Sequence, residues 1–172
     1  MSTTYRVMLA CAIAMLTATL ADCAAVVPQP SATQPDYPDY KARAVTRTEG
    51  QVRVSTSVFT AAESAALYGV SLAKRGIQPV WIEVRNPENQ IYYLLSPGLD
   101  PNFFPASEAA EAMSPDSSSQ QRATLDQRFR AVAFHHPIAP GKTTSGFVLT
   151  NLQQGVKLVP IDLVGSGRAR TF

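Results

Sequence analysis

The sequence predicts a mainly β protein, an antiparallel, immunoglobulin-like sandwich with a two-helix insertion. Three observations predict it. Residues 52–59, 78–85 and 144–150 alternate with period 2, each giving one apolar face. Turn-rich segments, Asn86-Pro-Glu-Asn89 and Asn151-Leu-Gln-Gln-Gly155, follow two of them and lead to further apolar stretches, so the strands are expected to pair as two hairpins. Between the hairpins, residues 106–133 carry helical spacing. Five strands stand out, with a sixth around 44–48, against about seven in an immunoglobulin-like sandwich. The alternative is an α+β layout, one antiparallel sheet with helices on one face.

Residues 1–22 read as a secretory signal. Arg6 supplies a basic start, and residues 7–20 are almost wholly apolar or small. That run is shorter than the roughly 20 apolar residues of a membrane-spanning helix. It closes on Leu20-Ala21-Asp22-Cys23. This stretch resembles the lipobox of bacterial lipoproteins, which implies cleavage before Cys23 and acylation of its thiol. Asp22 departs from the pattern, which has Gly, Ala or Ser at that place; a charge there hinders a peptidase whose pocket takes small side chains. Ordinary cleavage, for example after Ala25, and an uncleaved anchor are the alternatives. In a diderm bacterium, Asp directly after the lipidated cysteine is the usual inner-membrane retention signal. Ala24 stands there, which implies an outer-membrane lipoprotein facing the periplasm. The other cysteine, Cys11, lies inside the signal, so the processed chain must stand without an internal disulfide.

Residues 23–43 read as a proline-rich tether, punctuated by Pro28, Pro30, Pro35 and Pro38. At about 3.1 Å per residue in the extended proline conformation, it spans up to ~60 Å. Tyr37 and Tyr40 are expected to be solvated.

The globular domain is assigned to residues 44–165. Val52, Val54, Thr56 and Val58 line one face of the first strong strand. Thr60 and Glu63 have the spacing of a capping box, and Gly69 suits the left-handed end of the helix that follows. In the next strand Val80, Ile82 and Val84 oppose Trp81, Glu83 and Arg85, which puts it at the sheet centre with residues 91–95 as its return strand. Trp81 reads as a packed aromatic with a satisfied N–H, and Glu83 as half of a cross-strand charge pair with Arg85. Residues 106–113 and 119–133 read as helices. Leu125, Phe129 and Val132 share one face of the second, while Arg122, Asp126 and Arg130 lie four apart on the other. Ser145, Phe147 and Leu149 begin the last hairpin. Its second strand, 156–164, carries Val159, Ile161 and Leu163, with Pro160 at an edge or bulge. Residues 166–172 read as a polar tail with Arg168 and Arg170 in solvent.

The formal net charge is only +2, and no basic stripe with aromatic interleaving appears, so nucleic acid is not an expected partner. No phosphate-cradling glycine loop, no G-x-S-x-G elbow and no H-E-x-x-H occurs. His135 and His136 are adjacent, so on an extended chain they face opposite ways and do not share a metal. No cofactor is expected. The runs Gly76-Ile-Gln-Pro-Val-Trp-Ile-Glu-Val-Arg-Asn86, Gly98-Leu-Asp-Pro101 and Pro140-Gly-Lys-Thr-Thr-Ser-Gly-Phe-Val-Leu-Thr-Asn151 resemble recurring segments of small bacterial envelope proteins. That resemblance brings neither an activity nor catalytic residues.

Three functions follow as expectations. The first is a non-enzymatic binding or structural lipoprotein, held on a membrane through Cys23, with an envelope protein as partner. The second is an envelope hydrolase using Asp100, Glu108 or His135, soluble in the periplasm or secreted. The third is a small-ligand or sugar module built on Trp81 with Tyr92 or Tyr93, which requires Trp81 to be exposed.

Overall fold

The computed structural model describes residues 38–95 and 101–172. The signal, Cys23 and most of the tether lie outside the described residues, as does Asp100. The described elements, in order, are α1 (Pro38–Ala42), β1 (Val45–Glu49), β2 (Val52–Val58), α2 (Ala61–Tyr68), a 3-10 turn (Leu72–Arg75), β3 (Ile77–Asn86), β4 (Tyr92–Leu94) and β5 (Phe103–Phe104). The chain continues through α3 (Ala106–Ala112), α4 (Ser119–Val132), β6 (Lys142–Asn151), β7 (Asp162–Gly165) and β8 (Arg168–Thr171). The protein is mainly antiparallel β, with one sheet in the order β1-β2-β3-β6-β5 and another in the order β4-β7-β8.

β3 is the middle strand of the larger sheet, as its alternation predicts. One face carries Val80, Ile82 and Val84 into a core shared with Val52 and Val54 of β2 and with Tyr92, Leu94 and Leu163 of the smaller sheet. The opposite face carries Trp81 into a second core with Phe147 and Leu149 of β6, where α1, α2, α3 and α4 supply Tyr40, Leu67, Ala109 and Phe129. The molecule is therefore layered as helices, five-stranded sheet, three-stranded sheet. Both predicted layouts hold in part: a second sheet covers one face of the central sheet, and helices cover the other.

The predicted hairpins do not form. β3 already pairs with β2 and β6, so both of its edges are satisfied. The segment after Asn86 must take its hydrogen bonds elsewhere, and β4 pairs with β7 in the smaller sheet. Likewise the chain leaves β6 for the smaller sheet. The hairpins observed are β1–β2 and β7–β8. The long strand expected at 156–164 shrinks to Asp162–Gly165, because Pro160 has no N–H to give a ladder. Ahead of it Val156 and Leu158 point into solvent, 88% and 82% exposed.

Both domain boundaries also move. Tyr40, expected in a solvated tether, is buried in the second core, with its ring 5.0 Å from Phe59 and 5.3 Å edge-on from Trp81. The folded part thus includes α1. At the other end, residues 166–172 are not a solvated tail: β8 pairs with β7, and Phe172 packs against the first core. Trp81 is buried, but its indole N–H has no hydrogen-bond partner among the described residues, contrary to expectation. Glu83 has Ser55 and Ser145 across the ladder, so it is not half of a cross-strand charge pair.

The helices follow their local signals. Thr60 and Glu63 form the capping box reciprocally, and Gly69 closes α2 in the left-handed region at φ 72°. Arg43 donates to Glu63 at 2.6 Å and holds its carboxyl below the usual carboxylate range, with the capping-box hydrogen bonds from Thr60 in support. Ser118 and Gln121 cap α4 in the same way. Arg128 of α4 is buried and donates to the Tyr68 carbonyl at 3.0 Å, placing a cation at the C-terminus of α2. Asp126 and Arg130 pair on the exposed side at 2.7 Å.

Gly146 lets the chain leaving α4 lie against β6. A Cβ there would lie 2.5 Å from Phe134 Cα and 2.6 Å from the Ala133 carbonyl oxygen. That close approach lets the Phe134 N–H donate to the Phe147 carbonyl at 2.9 Å. Gly146→Ala is expected to cost about 1–3 kcal/mol, the usual range for overpacking a filled interior. The neighbouring Ser145→Ala, on an exposed side chain, should stay within about 0.5 kcal/mol in the same urea titration.

Candidate functional site

The densest group of titratable side chains gathers where the β1–β2 turn, the β3–β4 connection and β8 meet. The turn residues after β3 build it. Asn86 is fully buried; its amide donates to the carbonyls of Gln90 at 2.7 Å and Ala139 at 3.2 Å, while its side-chain oxygen accepts the Glu88 N–H at 3.1 Å. That side chain–backbone turn aims Glu88 inward. One Glu88 oxygen accepts from the Tyr92 hydroxyl at 2.8 Å and from the Gln90 amide at 3.0 Å. The other accepts from Arg170 at 2.7 Å and from the Gln51 N–H at 3.3 Å. Arg170 also donates to the Tyr92 oxygen at 3.0 Å and to the Glu49 carbonyl.

The electrostatics follow from these contacts. The Tyr92 hydroxyl, with the Gln51 N–H, Gln90 and Arg170, holds the Glu88 carboxyl below its ordinary range. Burial, with the Glu88 carboxylate beside it, pushes the Tyr92 hydroxyl up. Gly50 sits at φ 61° and leaves room for the guanidinium, since a Cβ there would collide with Arg170. Each Glu88 oxygen already accepts two hydrogen bonds, and Tyr92 is fully buried. The group is a clasp joining the two sheets. Arg170, expected in solvent, is its buried cation.

The residues proposed for hydrolysis do not converge. Glu108 lies on the exposed side of α3 and His135 in the exposed loop after α4. Neither lines the open cleft of about 430 Å³ between α3 and α4, whose walls carry Ser107, Glu111, Ser114, Arg122 and Asp126. Asp100 lies outside the described residues. Among the described residues, no group of three His, Cys, Asp or Glu is placed to hold a metal ion.

The aromatic platform is not assembled either. Trp81 is 3% exposed and Tyr92 is inside the clasp, whereas Tyr93 is half exposed, 6.4 Å from the His136 ring and stacked on it at 27°. His136 Nδ1 accepts the Leu94 N–H at 3.3 Å. Partial burial, with His135 adjacent, holds the His136 ring below its ordinary pKa. Tyr92 and Tyr93 alternate across β4, which is why one is lost to the interior and the other kept at the surface.

Two features escaped the sequence reading. One is the clasp, whose partners are up to 121 residues apart. The other is the run Leu152 to Leu158, where Leu152, Val156 and Leu158 are exposed although the last two fall in the stretch expected as a strand. No family model matches the chain, and no curated protein or solved structure shows significant similarity to it.

The clasp predicts an acid-sensitive fold. Glu88 has a depressed folded pKa, so its contribution is complete above the unfolded carboxyl value near about 4.3 and is lost as pH falls through the lower folded value. Glu63 adds to the same loss with the same sign. Thermal melts between neutral pH and pH 3 should therefore show a shallower acid decline for Glu88→Gln than for the parent. At neutral pH, Tyr92→Phe should cost about 1.5–3 kcal/mol, because its hydroxyl bridges two charged groups.

Proposed function

We propose that the chain is a cell-envelope lipoprotein, anchored through Cys23 to the outer membrane and facing the periplasm. It carries an immunoglobulin-like sandwich with a two-helix insertion, which serves as a non-enzymatic binding or structural module for an envelope protein partner. The observation that carries this reading is the apolar run closing on Leu20-Ala21-Asp22-Cys23, ahead of the folded domain. Fifteen residues lead from Cys23 to the start of α1 at Pro38. At full extension they span at most about 50 Å, enough to keep the domain close to the surface that holds the lipid.

Three features favour binding or structure over catalysis. The carboxylate, phenol and guanidinium that do meet are consumed in the clasp. Glu108 and His135 stand apart in solvent. Trp81, on which a sugar module would depend, is interior.

The intact mass of the protein from its native host tests the anchor. The expected mass corresponds to residues 23–172 plus acyl chains, and the acyl increment disappears in Cys23→Ala. Asp22→Ala should raise the processed fraction, since it restores a small residue before the cut. An unmodified product beginning beyond Cys23 would instead make the domain a soluble secreted module.

A further inference from the structure

The far end of the larger sheet holds the Glu88–Arg170 pair and the Glu49 backbone carbonyl, with Arg53, Arg85 and Lys142 exposed beside them. The near end is defined by Ile77 opposite Asn151, at the start of β3 and the finish of β6. There the Leu152 N–H donates to the Gly76 carbonyl at 2.7 Å, and Lys157 folds back to donate to the Asn151 carbonyl. This return leaves Val156 and Leu158 projecting, while Val159 behind them packs on the first core. Lys74 and Arg75 stand exposed immediately ahead of Gly76 at the same end. The chain from the N-terminal side also arrives in this half: β1 begins at Val45 opposite Thr56, and Arg43 donates to the Val58 carbonyl at 3.1 Å.

We propose that this end docks on an anionic lipid surface. Val156 and Leu158 enter the boundary between headgroups and acyl chains, and Lys74 and Arg75 meet the lipid phosphates. Apolar side chains set among basic ones are the combination that such surfaces bind, by burial and by charge. A protein partner is the poorer fit. Two projecting side chains and a half-exposed Leu152 fall well short of the ~800 Å² per partner of a standard interface. The orientation rests on the tethered reading, because the chain enters the domain in this half of the larger sheet.

The test places a fluorophore at the tip. Trp81 is the single tryptophan and is buried, so Leu158→Trp adds the exposed one. The full chain carrying Leu158→Trp is mixed with phosphatidylcholine–phosphatidylglycerol vesicles whose acyl chains are brominated. Its emission is expected to shift to the blue and to be quenched. Gln51→Trp, at the clasp end, should remain unquenched. Val156→Ser with Leu158→Ser should weaken vesicle partitioning by at least about tenfold without lowering the melting temperature, since both positions are solvent-exposed. K74E with R75E should abolish the preference for phosphatidylglycerol over pure phosphatidylcholine.

Absence of quenching at position 158 overturns the docking. So does a dimer in sedimentation that Leu158→Ser returns to monomer, which would give the loop to a second copy. Mass measured on the same sample separates the two readings. Acyl chains without quenching leave the anchor standing and remove the docking; quenching without acyl chains does the reverse.

Discussion

Both faces of one strand have to be covered, and the architecture answers that requirement. Ile77, Val80, Trp81, Ile82 and Val84 of β3 are all buried, although they point alternately to opposite sides. One sheet with a wet face cannot satisfy such a strand; parallel sheets bury both faces as a rule, antiparallel ones do so only when a second layer is added on each side. Here the smaller sheet covers the valine–isoleucine face and the helices cover the Trp81 face. The topology follows from this. Because β2 and β6 occupy both edges of β3, the chain leaving it has to cross to the second sheet, and the same holds on leaving β6.

Local chemistry was legible in the sequence and long-range pairing was not. Thr60, Glu63 and Gly69 announced α2 because capping is decided within ten residues, and all three act as their types suggest. The period-2 alternation found β2, β3 and β6, and placed β3 at the centre. The same alternation could not say that Tyr92–Leu94 pairs with β7, because the pattern records which face is apolar and not which strand lies alongside. Tyr40 was hidden by its surroundings: the prolines before it signal a linker, whereas its burial depends on Phe59, Trp81 and Phe147, which are distant in sequence. The candidate site was less legible still. Glu88 could be read as a turn residue and Arg170 as a terminal charge; only the fold brings them within 2.7 Å.

The buried ion pair and the exposed apolar loop make opposite uses of unusual placement. A guanidinium withdrawn from water is tolerated because Glu88, Tyr92 and Glu49 all accept its hydrogens. Val156 and Leu158 have no such internal compensation, and nothing in the domain's own packing requires apolar side chains there. The clasp therefore belongs to the stability of the domain. The loop has to be understood through what lies outside it.

Arg170 has a temporal consequence. It follows Glu49 by 121 residues, yet it donates to the Glu49 carbonyl and lies against Gly50. β3 likewise waits for β6, whose residues lie some sixty positions later, before its second edge is filled. A chain emerging from the ribosome or a translocation pore therefore cannot close the central sheet before β6 is released, nor the clasp before Arg170 is. Contacts of such sequence separation slow folding.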